Sequence, residues 1–393
     1  MNDPTWTRRN LLKGVGMLGC SAAAYPLMTD ITFASAPWDG RLVVIVLRGA
    51  MDGLDVLRPV GDRNFAALRS PFGATATDLD GFFSMHDGLS DVLPLWRTGD
   101  LAFAHAVSTP YRDERSHFDG QDMLEAGSGQ NIATAQVRDG WLNRLLQTTP
   151  GIEAETGFAI GRDNPRILIG DAPVANWSPE TQLRLGPAAE GLLAEIYHDD
   201  PLFRDAAAEA VALARSVETM DSSGGPAPGR PERAIAEFAA AKMQQDTRVV
   251  SFSISGWDTH RGQANAMPNL LERLSDTILT LRQGLGETWS QTAVLAVTEF
   301  GRTARENGSG GTDHGTGGAM VMAGGAIRGG QVYTRWPGLS EADLYDRRDL
   351  MPTADVRSYA GWVMHALMGQ DRSTIEGTIF PGLDLGQNPN VIR

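Results

Sequence analysis

The run Leu42-Val43-Val44-Ile45-Val46-Leu47, followed at once by Arg48-Gly49-Ala50-Met51-Asp52-Gly53, decides the fold. An unbroken apolar run rich in β-branched residues and closed by glycine reads as a strand buried on both faces. Such strands belong to parallel sheets covered by helices. Leu101 to Val107, Val249 to Ser255 and Thr292 to Thr298 share that character. Each of the four carries reactive side chains just past its carboxyl end: Asp52, then Ser116 and His117, then Asp258 and His260, then Glu299. In open α/β sheets the ligand crevice lies beyond those ends, so residues far apart along the chain can meet in one pocket.

Between the strands the spacing turns helical. Asp62 to Ser70 and Gly88 to Thr98 show it, Ser116 to Ala126 adds a serine cap, and Val137 to Thr148 is amphipathic. Arg166 to Gly170 reads as a further strand, Phe203 to Met220 as an Ala-rich helix, and Ser222 to Pro231 as a linker by composition. The order then becomes regular: helix Arg233 to Gln245, strand from Val249, helix Met267 to Thr288, strand from Thr292. A β-α-β order of this kind requires parallel strands and a right-handed crossover. Gly317 to Gly324 gives a short strand and Ala354 to Met368 a last helix. The expected fold is α/β, a three-layer sandwich around a mostly parallel sheet. It forms one domain over residues 37–393 with a helical insertion around 150–230.

The chain has 393 residues, 42% of them hydrophobic, and a formal charge of −14. A core of that size is easily built, and so acidic a surface repels nucleic acid and anionic lipid. Thr7-Arg8-Arg9-Asn10-Leu11-Leu12-Lys13 precedes a weak apolar stretch from Gly14 to Leu27, the layout of a twin-arginine export signal over residues 1–36. The expected location is periplasmic or secreted, reached through the twin-arginine machinery, with no transmembrane segment in the mature chain. Cys20 is the only cysteine and falls inside that signal, so disulfides, thiolate ligands and cysteine nucleophiles are excluded from the mature chain.

Asp258 and His260, two apart on an extended chain, point to one side as a divalent ion requires; alternatively Asp258 caps the next helix and His260 is a solvated loop residue. The stretch from Thr298 to Gly315 carries Glu299, Arg302, Asp313 and His314 on a glycine-dense loop whose backbone can approach an ion or oxyanion closely. Arg302 either neutralises a phosphate or sulfate oxygen or pairs with Glu306. Asp52 either ligates an ion or makes an Asp-Gly turn. Ser116 is either a nucleophile, favoured by the helix N-terminus, or a plain cap. His86 and His105 are further candidates for the pocket, whereas His365 lies in an apolar helix and reads as structural.

Taken together, V-V-I-V-L-R-G-A-M-D-G (43–53), S-H-F-D-G-Q-D (116–122), G-W-D-T-H (256–260), T-E-F-G-R-T (298–303) and N-G-S-G-G-T-D-H-G (307–315) resemble the exported bacterial family filed as domain of unknown function 1501. That family is similar to the alkaline-phosphatase-like superfamily of sulfatases and phosphatases. The resemblance implies an alkaline-phosphatase-like core with divalent metal beside a nucleophile. Carried over in chain order, the first ligand falls near Asp52, the nucleophile near Ser116, the middle pair on Asp258 and His260, and the later histidine on His314. The superfamily's Asp-His pair falls on Glu299 and Phe300, and phenylalanine cannot ligate. A one-metal or remodelled site follows, in which Asp313 or His117 can supply a missing ligand. Formylglycine chemistry is not implied, because Ser116 is followed by His117-Phe118-Asp119.

The expected activity is metal-dependent hydrolysis of a small anionic phosphate or sulfate ester. The ion is zinc, manganese or calcium, and Arg302 steadies the developing charge. The alternative is an envelope binding or assembly protein that keeps the fold without catalysis.

Overall fold

Alternate residues of strand β1 (Arg41–Arg48) enter two different cores in a computed structural model that describes residues 36–69, 76–112, 114–130, 137–161, 165–177 and 231–393. Val43, Ile45 and Leu47 join one apolar cluster; Leu42, Val44 and Val46 join the other. This is the two-residue period of a strand covered on both faces. Every one of these six side chains is fully buried, and each contributes about 1.5–3 kcal/mol of hydrophobic stabilisation.

Three short strands, β2 (Leu57–Arg58), β3 (Ala76–Asp78) and β4 (Ser84–His86), make a small antiparallel sheet. The main sheet holds nine strands among the described residues. They are β1 with β5 (Leu101–Ser108), β6 (Gly157–Ile160), β7 (Ala175–Trp177), β8 (Val249–Ser255), β9 (Thr292–Val297), β10 (Gly318–Ala323), β11 (Val332–Tyr333) and β12 (Ala354–Asp355). Their order is β11-β5-β10-β9-β1-β8-β6-β7, with β12 also beside β5. β10 alone runs antiparallel, between β5 and β9. β8 and β9 are parallel as expected, but they are not neighbours: β1 lies between them, with Val43 level with Val250 on one side and Val294 on the other.

Among the described residues, six of the longer helices complete the layers. On one face α4 (Pro231–Met243) and α5 (Gln263–Leu285) pack through Phe238, Leu271, Leu274, Ile278 and Leu281, joined by Trp96 of α1 (Leu93–Thr98). The three- and four-residue spacing along α5 is the apolar stripe of a helix docked on a sheet. On the other face lie Leu124 of α2 (His117–Ala126), Leu142 and Leu145 of α3 (Trp141–Gln147), and Val363 and Met364 of α6 (Val356–Met368). The three-layer α/β sandwich around a mostly parallel sheet is therefore present.

Local departures have local causes. Arg166 to Gly170 is not a strand; Pro165 leads into a single 3₁₀ turn, Arg166–Leu168, and the Asn143 amide donates to the carbonyls of Leu168 and Ala172 beside it. Asp62 to Ser70 supplies only the short helix Phe65–Leu68. Around 150–177 the described part of the expected insertion holds β6, paired with β8 on one side and β7 on the other, and the 3₁₀ turns Ala154–Thr156 and Arg166–Leu168. The expected export signal up to residue 35, the expected helix from Phe203 to Met220 and the expected linker up to residue 230 fall outside the described residues. No helix among those described is long and apolar enough to cross a membrane.

Candidate metal centre

The parallel strands end along one rim, and antiparallel β10 begins there. Gly49 and Ala50 follow β1, Asp258 and His260 follow β8, Glu299 and Phe300 follow β9, His314 precedes β10, and His117 opens α2. The rim gathers three imidazoles around one carboxylate. Nε2 of His260 and of His314 stand 3.1 and 3.3 Å from Asp258 Oδ1, Nε2 of His117 stands 3.3 Å from Oδ2, and the Nε2 atoms of His260 and His314 are 2.9 Å apart.

The other nitrogen of each ring is engaged. His117 Nδ1 meets Glu299 Oε1 at 2.8 Å, His314 Nδ1 meets the Arg115 carbonyl at 2.7 Å, and His260 Nδ1 meets Asp313 Oδ1 at 3.2 Å. These partners are carboxylates or a carbonyl and only accept, so each Nδ1 carries a proton, and the Nε2 atoms face the Asp258 carboxylate and one another. The buried His117 Nε2 has no hydrogen-bond partner, and the Nε2 atoms of His260 and His314 meet at 2.9 Å. A tetrahedral zinc with bonds of about 2.0–2.1 Å holds its ligand atoms roughly 3.3 Å apart, close to the separations seen. His117, Asp258 and His314 form a group whose ligand atoms lie within 4.8 Å of one another. A backing carboxylate or carbonyl on Nδ1 is the usual support of a metal-binding histidine.

Electrostatics separate the rings: the hydrogen bond to Glu299 raises the His117 pKa and favours its protonated form, whereas burial lowers that of His314 and favours the neutral ring. Burial pushes Asp258 up, but the charge and hydrogen bond of Arg302 hold its carboxyl below the usual range. Burial likewise raises Glu299, and bonds from His117, Gln121 and the Gly49 N–H outweigh it.

Several expected ligands stand elsewhere. Glu299 is fully buried behind His117, accepting from Gly49 N at 2.9 Å, Gln121 Nε2 at 3.1 Å and the Thr298 hydroxyl at 3.0 Å; it orients an imidazole. Asp313 backs His260 and accepts from Asn307 Nδ2. Asp52 is sealed in an ion pair with Arg69 at 2.6 Å, accepts from Gln263 at 2.7 Å and caps the short helix Gly53–Val56, so its turn role prevails. Arg302 does not pair with Glu306: it donates to the carbonyls of Gly49, Ala50, Trp257 and Thr312 and to Asp258 at 2.5 Å. With those donors committed and 1% exposure, it fastens three loops and aims Asp258. Ser116 caps α2, its Oγ accepting from Asp119 N at 3.4 Å. His105 is sealed in β5 with Nε2 at the Leu57 carbonyl, and His365 of α6 meets the Gln370 carbonyl. His86 caps the turn after β4.

Two participants carried little signal in the sequence. Phe300 lies under the imidazoles, its centroid 5.3 Å from that of His117 and 5.2 Å from that of His314. Gln121 reaches Glu299 from one turn past His117, a helical spacing that places both on one face. The backbone is bent to fit: Gly49 has φ +117°, and a Cβ there would stand 2.5 Å from Asp258 N. Ala50 and Arg115, whose carbonyls serve Arg302 and His314, have φ of 60° and 54°. Left-handed non-glycine residues at a site are stored strain.

No curated protein sequence matches this chain. Among solved structures it is similar to the lipoteichoic acid synthase LtaP from Listeria monocytogenes at 9% identity and a TM-score of 0.41, covering 91% of this chain and 78% of that one. It is also similar to the alkaline phosphatase from the Antarctic bacterium TAB5 at 9% identity and 0.33, covering 76% and 95%. A protein in the alkaline phosphatase superfamily from Vibrio parahaemolyticus matches at 11% and 0.33, covering 84% and 72%. The model of a family described as "protein of unknown function (DUF1501)" matches residues 84–359, which include His117, Asp258, His260, Glu299, Arg302 and His314, and the chain belongs to that family.

Proposed function

We propose that this chain is a metal-dependent hydrolase of small anionic phosphate or sulfate esters, built around one zinc ion held by His117, Asp258 and His314 with His260 at its edge. The observation that carries this is the convergence of three imidazole Nε2 atoms on Asp258 while every Nδ1 is held by an acceptor. Nitrogen donors favour zinc over calcium, which takes oxygen ligands. Such an ion supplies Lewis-acid polarisation of an ester oxygen.

The residues around it do the rest. Three neutral imidazoles and one carboxylate leave a divalent ion incompletely neutralised, so the site attracts an anionic oxygen. Glu299 and the Arg115 carbonyl hold the rings in place, Arg302 holds Asp258, and Phe300 closes the floor to water. Ser116, beside His117 at the start of α2, is the proposed nucleophile, and the dipole of α2 favours its alkoxide. The motif resemblance and the paired arginines near the N-terminus support activity outside the cytoplasm after twin-arginine export.

The test is metal analysis by plasma mass spectrometry after dialysis, together with a panel of phospho- and sulfoesters. Bound zinc with turnover supports the proposal. Bound zinc with no turnover on any ester leaves the non-catalytic envelope role, and absence of metal removes both the ion and the hydrolase.

A further inference from the structure

His117, Gln121 and Glu125 stand four residues apart along α2 and so share one face of that helix. Arg48, the last residue of β1, ties this stripe together from the side. Its Nη1 donates to Gln121 Oε1 at 2.8 Å, its Nη2 stands 2.7 Å from Glu125 Oε1, and its Nε donates to Ser253 Oγ of β8 at 2.9 Å. Glu125 is 2% exposed and is held in turn, its Oε2 accepting from Ile167 N at 3.1 Å. The guanidinium is thereby fixed on three sides.

The guanidinium sets the direction of an amide. Gln121 accepts at Oε1 from Arg48 and donates from Nε2 to Glu299 Oε1, 3.1 Å away. Turned over, the amide would set its NH₂ against the guanidinium and its oxygen against the carboxylate, losing both bonds. The same Glu299 oxygen meets the Gly49 N–H at 2.9 Å and His117 Nδ1 at 2.8 Å. One hydrogen-bonded path therefore runs from Arg48 through Gln121 and Glu299 to the imidazole of His117. An ion pair as buried as that of Arg48 with Glu125 gains little net stability over apolar residues of the same size, which leaves positioning as the role it can fill.

We propose that Arg48 is a positioning residue of the metal centre: by holding the Gln121 amide in one orientation it presents Glu299 to His117 Nδ1, and so sets the direction in which His117 Nε2 meets the ion. The inference rests on the reading of His117 as a metal ligand and extends the support of that ligand two residues beyond Glu299.

The experiment uses the full chain and measures zinc affinity by competition with a chelating dye, the visible spectrum of the cobalt-substituted protein, and the melting temperature. Arg48→Met and Gln121→Leu are each expected to weaken zinc about tenfold or more, the usual scale for loss of a ligand's outer support, and to alter the cobalt spectrum. Because both act on one path, the double variant is expected to bind zinc no more than about twofold worse than the weaker single variant. Arg166→Met breaks a 2.8 Å ion pair to Asp122 on the same helix; it is expected to lower the melting temperature and leave zinc affinity and cobalt spectrum unchanged. If Arg48→Met does not fold, Arg48→Lys, which keeps a charge beside Glu125 but not the planar fork, is expected to lose about threefold or more. Zinc affinity within about twofold of wild type in the folded Arg48 variant, losses that multiply in the double variant, or an equal loss in Arg166→Met overturns the inference. Wild type without zinc overturns the metal reading itself, so the two failures are told apart.

Discussion

Single side chains in this molecule are committed by their partners rather than by their type. His105 shows this most simply. Sealed in β5, it donates from Nε2 to the Leu57 carbonyl and accepts at Nδ1 from Ala106 N, and burial drops its pKa from 6.5 to about 4. Between those values the unfolded chain binds a proton that the folded chain does not, so stability is intact above about pH 6.5 and falls as pH drops toward 4, by on the order of 3 kcal/mol. Urea denaturation of wild type and His105→Gln at pH 7 and pH 4.5 checks this. The variant is expected to start less stable and to lose less on acidification; an identical loss in both removes His105 from the acid response. Ser116 poses the opposite question. If it attacks the ester, Ser116→Ala lowers turnover at least a hundredfold with zinc retained. If it only caps α2, turnover holds and stability drops by about 0.5–2 kcal/mol, which a melting curve measured beside the assay separates.

Among the elements, the turns that leave the strands fix the site more than the strands do. Gly49 needs its positive φ and the absence of a Cβ to let Asp258 approach, so Gly49→Ala is expected to displace Asp258 and reduce zinc affinity at least tenfold, read by competition with a chelating dye. Arg302 ties the same turn to the loops after β8 and before β10. Arg302→Met strands several buried carbonyls and is expected to cost about 3–5 kcal/mol, checked by denaturant unfolding; a loss below about 1 kcal/mol would show that the loops hold without it. The long buried strands and α5 could be read from periodicity because hydrophobic burial has a period. Which strand lay beside which could not: β1 wedges between β8 and β9 through hydrogen bonds that any strand can make. Short β6 and β7 were missed because three or four residues carry no period.

For the molecule as a whole, sheet topology converts chain distance into proximity. Residues 117, 258, 260 and 314 meet because parallel strands end, and antiparallel β10 begins, at one rim, and the same rule placed all four among the candidates read from the sequence. Their division into inner and backing groups was not readable there. Asp52, Glu299 and Asp313 are the same residue types as a ligand, and only the position of Arg69, His117 and His260 shows that their oxygens are taken. Phe300 marked the loss of one ligand position, but its service as a floor for two imidazoles required the packing to be seen. The acidic surface, with a formal charge of −14, repels anions at long range, so under the proposal a bound ion would be what draws one in, and loading that ion would link to folding. If zinc binds as proposed, saturation at about a hundred times its dissociation constant is expected to stabilise the chain by roughly 2.7 kcal/mol, read as a rise in melting temperature.

The most direct measurement is zinc stoichiometry by plasma mass spectrometry on dialysed wild type and on His117→Ala, His314→Ala and His365→Ala. About one zinc per chain is expected in wild type and in His365→Ala, whose imidazole lies elsewhere, and almost none in the other two. Equal zinc in all four proteins, or none in any, would contradict a metal centre built on His117, Asp258 and His314.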